Sequence, residues 1–377
     1  MAKTRVLEFS TSAKIGGTQH MLLEFLRHAS RERYDLYLCV LLAHDVLNDE
    51  AGKLGIPQTS LQMRGYWDLR AWWRFYHFAR GKEFDLMRTY GLKADIIGRI
   101  VGKLLGIPVH ITSVRSTDPW RRWYHVLLDV LTAGLTDLYL SNSEAGRLAV
   151  HQREKIPLSK IAVIPNGVDL VKFAPRPSEN ASLQKTALGI PPNAPVIGSV
   201  ANLCPMKGHT TIVDALPLIQ DEFPEVRCLF VGMDFLQGAI QRYVRERQLE
   251  EAVMFTGFRT DIPRILSLFD VFLLPSLWEG LPNAMLEAMA MKLPVVASAV
   301  GDIPNVIEHQ RTGFLIPPQN PHALAETVLG VLRHPEAASK IGHAGHDLIR
   351  RQFSLESVVT QTERLYDQLI ERKGKQP

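Results

Sequence analysis

Nine short apolar runs rich in β-branched residues punctuate the chain: "RVLEFS", "LYLCVLL", "VHITSV", "DLYLSNS", "IAVIPN", "PVIGSVAN", "VRCLFVG", "DVFLLPS" and "PVVAS". Between them lie segments of helical period such as "GTQHMLLEFLRHAS" and "GHTTIVDALPLIQDEF". Strands that alternate with helices form parallel sheets covered on both faces. The joints agree: "KLGIPQ", "KLLGIPVHI" and "MKLPVVAS" each end a helix with Gly or a basic residue, and Pro then forces extended chain into the next strand. The expected class is α/β, and 377 residues exceed one ordinary core and fit two domains of roughly 150 to 200 residues.

Hydrophobic residues at 46% and charged residues at 22% describe a folded globular chain rather than a disordered or fibrous one. Cys39, Cys204 and Cys228 make no even framework. Two of them sit in strand runs, as small buried hydrophobes in a reducing compartment would. "MAKTRVLEFS" passes directly into a strand pattern, and no uncharged apolar stretch approaches the roughly 20 residues of a membrane span. The expectation is a cytoplasmic protein. Its net charge of +4 is uneven: residues 1–180 carry 25 Lys and Arg against 18 Asp and Glu, an excess of +7, and the rest carry 18 against 21, or −3. A basic first half suits lipid head groups or a phosphorylated acceptor, and equally an uneven surface without a partner. No nucleic-acid partner is expected.

"KFAPRPSENASLQKTALGIPPNAP", Lys172 to Pro195, holds five prolines and no strand signal and reads as an interdomain connection with a short helix inside it. Two comparable α/β halves remain. Ligands of doubly wound sheets bind at the carboxyl ends of the strands, so facing halves place their sites on a shared cleft.

Four stretches can line that cleft. In "STSAKIGGTQHMLLEF", Gly16 and Gly17 precede a helix whose N–H groups suit a phosphate; the spacing is not the dinucleotide fingerprint, and a plain tight turn has the same residues. In "VANLCPMKGHTTIVDAL", Lys207 ahead of a helix is a point charge suited to a diphosphate, or a solvated lysine. "VIPNGVDLVKF" places a turn at Asn166-Gly167. "PSLWEGLPNAMLEAMAMKLPVVAS" holds two carboxylates, Glu279 and Glu287, in an apolar segment. Eight residues apart on one helix they would stand about 12 Å apart. With Glu279 on a loop and Glu287 two turns into the helix, they flank one extended ligand, diols at both ends and an anionic middle facing the helix N-terminus. A nucleotide-sugar has that shape.

At this point the chain resembles the GT-B retaining glycosyltransferases, glycosyltransferase family 4 in particular, over nearly its whole length. The resemblance rests on "IGGTQ", "VIPNGVD", "VANLCPMKGH", "TGFRTDIPRILSLFDVFLLPS", "EGLPNAMLE", "TGFLIPP" and a final helix after "FSLESV". It implies two Rossmann-like doubly wound domains facing a cleft: residues 1–175 for the acceptor, completed by a last helix over about 356–377, and residues 190–355 for the nucleotide-sugar. It further implies that Glu287 holds the ribose hydroxyls and Glu279 the transferred sugar. Lys207 and the backbone of Gly280, Leu281 and Pro282 would neutralise the leaving diphosphate, aided by Gly16 and Gly17; Asn202, Gly232 and Asn283 are further expected substrate-binding residues, and Lys207, Glu279 and Arg115 the expected catalytic ones. No metal or other cofactor is implied, and the donor expectation is a UDP-sugar first and a GDP-sugar second. His343 and His346 of "HAGH" are expected to face solvent.

The chain departs from that family in places. An arginine common in the family is Asn202 here, a variant position for it is Cys204, a usual histidine is Arg115, a usual glycine is Lys292, and a customary Gly-Gly reads Gly301-Asp302. A guanidinium at Arg115 can bind sugar or phosphate oxygens and cannot serve as a base. For the acceptor, "GYWDLRAWWRFYHFARGKEF" sets Trp67, Trp72, Trp73, Phe75, Tyr76 and Phe78 among Arg70, Arg74 and Arg80, and "DPWRRWYH" near Trp120 makes a second lip. Such a helix suits either a membrane interface, where a lipid-linked saccharide acceptor would wait at the inner face, or ordinary packing on a sheet. Competing readings are a nucleotide-sugar epimerase, a dehydrogenase whose glycine fingerprint does not match, and a non-catalytic GT-B partner subunit that binds donor without turning it over.

Overall fold

The computed structural model describes residues 3–65, 68–115, 121–175 and 181–374; Trp67 and Trp120 lie outside them. The chain divides into two units, Met1–Gly167 with Leu355–Pro377, and Val168–Ser354. The first holds β1 (Thr4–Ser10), β2 (Tyr34–Val40), β3 (Gln58–Ser60), β4 (Leu86–Tyr90), β5 (Val109–Val114), β6 (Leu138–Ser141) and β7 (Ile161–Val163). They form one parallel sheet in the order β3-β2-β1-β4-β5-β6-β7. The second holds β8 (Val196–Val200), β9 (Arg227–Val231), β10 (Val253–Gly257), β11 (Val271–Leu274), β12 (Val295–Ser298) and β13 (Phe314–Ile316). These are again all parallel, in the order β10-β9-β8-β11-β12-β13. The α/β class and the doubly wound parallel sheets expected from the sequence are both present, and each order reverses once, between β1 and β4 and between β8 and β11.

Strand residues alternate between two differently covered faces. On one face of the first sheet, Phe9 stacks on Phe75 of the helix Leu69–Ala79 at 4.3 Å between ring centroids. Beside it, Gly98 of the helix Leu92–Leu105 lies so close to Thr89 and Phe9 that an added Cβ would come within 2.7 Å and 3.2 Å of their side chains. On the other face, the helix Gly17–His28 and the last helix, Leu355–Gly374, enclose Tyr366. The Tyr366 hydroxyl donates to Glu8 Oε1 at 2.9 Å and accepts from Arg88 Nη1 at 3.2 Å. Burial pushes the Glu8 carboxyl above its usual range, against the opposing pull of Arg88.

The helix Trp123–Ala133, "WYHVLLDVLTA", is anchored in an unusual way: its one fully buried side chain is charged. Asp129 meets Arg99 Nη1 at 2.5 Å and Arg121 Nη1 at 2.7 Å, and Arg121 continues to Glu154 at 3.0 Å. Burial alone would raise the Asp129 carboxyl; Arg99 and then Arg121 outweigh it and hold the group below its usual range.

In the second unit, Val168 and Phe173 are buried in the core with Phe272 and Leu286. The chain thus enters this unit at Val168, ahead of the proline-rich stretch, and the helix Ala181–Ala187 follows inside it. Lys292 takes φ +63° just past the helix Asn283–Ala290. That left-handed position is where a glycine would sit without cost, and a lysine there costs about 1 kcal/mol. His343 is exposed, but His346 is half-buried and its Nδ1 reaches the Ala290 carbonyl at 2.6 Å, so the solvent-facing expectation fails for His346: it lies beside buried Gly345, where the helix Pro335–Gln352 packs on Asn283–Ala290.

Asp129→Ala leaves Arg99 and Arg121 buried beside no carboxylate on that helix, so it should destabilise the first unit by about 3–5 kcal/mol. Chemical denaturation of the two proteins checks this, and a midpoint within error of the parent would show that the pair does not anchor the helix.

Candidate active site

At the reversal in the second sheet, the loops leaving β8 and β11 run to opposite faces and expose the carboxyl ends of both strands. The β8 loop ends in a single turn, Pro205–Lys207, and Gly208 at φ +64°. Here glycine is required twice, by the left-handed backbone and by space, since an added Cβ would fall 2.0 Å from the Pro275 carbonyl oxygen. The two loops are joined by a backbone bond from Leu277 N to Met206 O of 2.8 Å.

On that frame Lys207 Nζ and Glu279 Oε1, 72 residues apart in sequence, meet at 2.6 Å. Ser276 Oγ donates to the same carboxylate oxygen at 2.8 Å. Glu279 is buried, and the Lys207 side chain remains 17% exposed, open to an incoming group. Behind Glu279, Gly301 at φ +57° lies where a Cβ would come within 2.3 Å of the Glu279 carbonyl oxygen, and Asp302 N donates to Gly280 O at 3.1 Å. Asp302 itself has φ −89°, so of the Gly-Gly pair the resemblance implies, this backbone requires only the first.

Gly280, Leu281 and Pro282 are buried and lead into the helix Asn283–Ala290. Pro282 is its N-cap, no side chain caps it, and its first-turn N–H groups supply a partial positive charge. Glu287 is half-buried in the second turn, so the two glutamates stand on loop and helix as the sequence suggests. Asn202 has a different engagement: its Oδ1 accepts from Met233 N at 3.0 Å. Gly232, at φ +157°, packs beneath, with 2.3 Å between a would-be Cβ and Ala201 O. Both residues tie the loop after β9 to the loop after β8. Cys204, the other position without the common arginine, is only part-buried in the β8 loop.

In the first unit, Gly16 is the N-cap of the helix Gly17–His28, again without a side-chain cap and with no acid in the first turn. An added Cβ at Gly16 would meet only Gln19, at 3.4 Å, so neither φ nor local crowding demands glycine there. Arg115 follows β5; its Nη1 donates to Asn166 Oδ1 at 3.0 Å and its guanidinium lies 5.7 Å from the Tyr90 ring centroid. Burial, then the neighbouring Arg88, pull its pKa down to about 10, so it stays a cation at neutral pH. Arg115, Arg88 and Pro165 line one recess with Leu355 of the last helix.

Of the residues named from the sequence, the structure brings Lys207 and Glu279 together; sequence reasoning did not name Ser276, which the "LPS" ending of a buried strand could have signalled, or Gly301 as the support under Glu279. The aromatic stretch resolves into packing: Phe75 is core, Trp72, Tyr76 and Phe78 are half-buried, and Trp73 is exposed. No described helix is long and apolar enough to cross a membrane.

Two family models match the chain, "Glycosyltransferase Family 4" over residues 15–172 and "Glycosyl transferases group 1" over residues 194–334. An Escherichia coli UDP-Gal:alpha-D-GlcNAc-diphosphoundecaprenol alpha-1,3-galactosyltransferase is 28% identical over 331 residues, 84% of each chain. Among solved structures, Anabaena HepE in complex with UDP and glucose superposes with a TM-score of 0.88 at 22% identity, over 97% of this chain and 100% of that one. The sucrose-phosphate synthase of Thermosynechococcus elongatus superposes at 0.82 and 19% identity, over 98% and 100%. At those identities the structures speak for the shared fold.

His209, next to Gly208, is buried against Phe230, and neither ring nitrogen bonds a described residue. Burial, with a smaller push from Lys207, lowers its pKa to about 4. The unfolded chain therefore binds a proton between pH 6.5 and 4 that the folded one refuses, and stability present above pH 6.5 should fall by up to about 1.4 kcal/mol per pH unit as the pH drops through that window. His209→Leu should flatten this part of the acid loss in a pH series of thermal melts; identical slopes would show that the neutral imidazole is not what the fold requires.

Proposed function

We propose, for a chain that belongs to the group 1 glycosyltransferases of the GT-B fold and resembles family 4 among them, a retaining transfer of a sugar from a UDP-sugar to a hydroxyl of a lipid-linked saccharide. The observation that carries the donor half is the meeting of Lys207 and Glu279 at 2.6 Å beside an uncapped helix N-terminus, at the reversal point of the second sheet. The relative that matches 84% of its own length is named for a UDP-sugar donor and a diphosphoundecaprenol-linked acceptor, which supports the same substrate classes here.

Each group has a separate task. Breaking the bond from the anomeric carbon to the β-phosphate oxygen leaves positive charge on the sugar ring and negative charge on the diphosphate. Lys207 and the N–H groups at the start of Asn283–Ala290 face the growing negative charge, and because they are fixed before reaction they stabilise it without reorganising. Glu279 accepts hydroxyls of the transferred sugar, and Ser276 and Lys207 hold its carboxylate in one orientation. Glu287, in the second turn of the helix, accepts hydrogen bonds from the ribose diol. Retention follows from attack on the face the leaving group departs, with the leaving phosphate taking the acceptor proton. In this reading Lys207 and the helix terminus are the groups set against the charge of the diphosphate.

A thermal-shift screen of UDP-, GDP- and ADP-sugars should give a rise with UDP-sugars, because a ligand that binds only the folded state stabilises it by about 2.7 kcal/mol at a hundredfold excess over Kd. Glu287→Ala should lose that rise, whereas Lys207→Ala should bind donor and lower turnover by about 10²–10³-fold, the cost of one preorganised donor to the transition state. Absence of any shift with all three donor classes, or a Glu287→Ala protein that responds like the parent, would sink the proposal.

A further inference from the structure

The helix Trp123–Ala133 is turned inside out. Its buried side is Asp129 against Arg99 and Arg121, while Trp123, Tyr124, Leu127, Leu128, Val130 and Leu131 are all exposed. Trp123 at 76% and Leu131 at 71% are nearly as open as in an unfolded chain. The neighbouring helices expose further apolar side chains: Trp123–Ala133 packs beside Leu92–Leu105, which exposes Leu104, and that helix packs beside Leu69–Ala79, which exposes Leu69 and Trp73. A water-soluble helix would place its leucines against the sheet, and single exposed leucines need no explanation, but a tract on three adjacent helices does.

The charges around this tract lean basic, the exception being half-buried Asp68 at the N-cap of Leu69–Ala79, which meets Arg74 at 3.9 Å. On the three helices the only acids are Asp95 and Asp129, both buried, whereas Arg70, Arg74 and Lys103 are exposed, as is Arg122 at the start of Trp123–Ala133. Eleven residues are too few to span a bilayer, yet an apolar face with aromatic residues and a basic rim is the pattern of a helix lying in the head-group region. A second copy of the chain would bring the same basic rim against itself, which charge opposes.

We propose that this face of the first unit docks on an anionic lipid bilayer, with Trp123, Leu127 and Leu131 in the head-group boundary and Arg70, Arg74, Lys103 and Arg122 toward the lipid charge. It deepens the lipid-linked acceptor reading, and it moves the centre of the membrane contact from the aromatic stretch around Trp72, whose middle is core, to Trp123–Ala133 on the far side of Leu92–Leu105.

Flotation of the full chain with vesicles of phosphatidylcholine alone, and with phosphatidylglycerol added, tests this without donor or acceptor, so it can fail while sugar transfer stands. The parent should float with the anionic vesicles, less at high salt. The double variant Leu127→Glu, Leu131→Glu should bind about tenfold less or weaker still, since it removes two apolar anchors and adds repulsion. Both positions are exposed, so its melting midpoint should match the parent's. Leu183→Glu, an exposed leucine of the second unit, serves as control and should float like the parent. Equal flotation of parent and double variant overturns the proposal, as does a parent that ignores anionic vesicles. A parent that sediments as a dimer, ignores vesicles and becomes monomeric in the double variant would assign the face to a second copy instead.

Discussion

Everything at the candidate site follows from a restriction on parallel sheets. Strands that all run one way cannot be joined by hairpins, so each return is a crossover helix on one face or the other. In the second unit the chain winds from β8 through β9 to β10 on one side and then from β11 through β12 to β13 on the other. The loops leaving β8 and β11 therefore diverge, and nothing of the sheet's own connectivity fills the space between them. Because β8 and β11 are adjacent, the two loops start side by side before they part, so Lys207 and Glu279 meet across 72 residues and the loops touch at Gly208 on Pro275 and Leu277 on Met206.

Two ion pairs in this chain show how surroundings assign different uses to the same chemistry. Arg99 and Asp129 are almost wholly enclosed, at 1% and 4% side-chain exposure, and every neighbour that could compensate them is fixed. Such a pair adds little net stability over an apolar one, but it is costly to break and so fixes how a helix is rotated. Lys207 and Glu279 are nearly as short, 2.6 Å against 2.5 Å, yet the lysine is partly exposed and its carboxylate is shared with Ser276. An ammonium with three donors can keep Glu279 and accept a phosphate as well. The first pair is an anchor, and the second is poised for exchange.

Nine of the described strands were legible because parallel strands buried on both faces leave apolar runs, and proline-marked joints set several of their ends; β3, β4, β10 and β13 were not, and the central β4 carries Arg88 and Thr89 inside its run. Glu279 and Glu287 were legible for the converse reason: two carboxylates in an apolar segment are conspicuous. What could not be read is whatever depends on rotation or on distant pairing. "WYHVLLDVLTA" is apolar on nearly every side, so its period does not say which side faces in; Arg99, thirty residues earlier, decides it through Asp129. Likewise Gly301-Asp302 looks like half of a lost glycine pair until the backbone shows that only the first position is left-handed and crowded.

Asn202 illustrates how a departure from a family pattern can be absorbed locally. Its side chain holds the backbone of Met233, and Gly232 leaves no space beneath, so this position serves loop geometry rather than charge. On the proposed chemistry the leaving diphosphate then depends on Lys207 and on backbone N–H groups. Those groups are no poor substitute. An arginine must surrender rotamer freedom to reach a phosphate, whereas the backbone leading into Asn283 is already fixed by a buried loop and by a helix that no side chain caps. A site that relies on backbone for its charge places its demands on the loops beneath instead, and here those demands fall on Gly208 and Gly301, the glycines with positive φ that press on the carbonyls of Pro275 and Glu279.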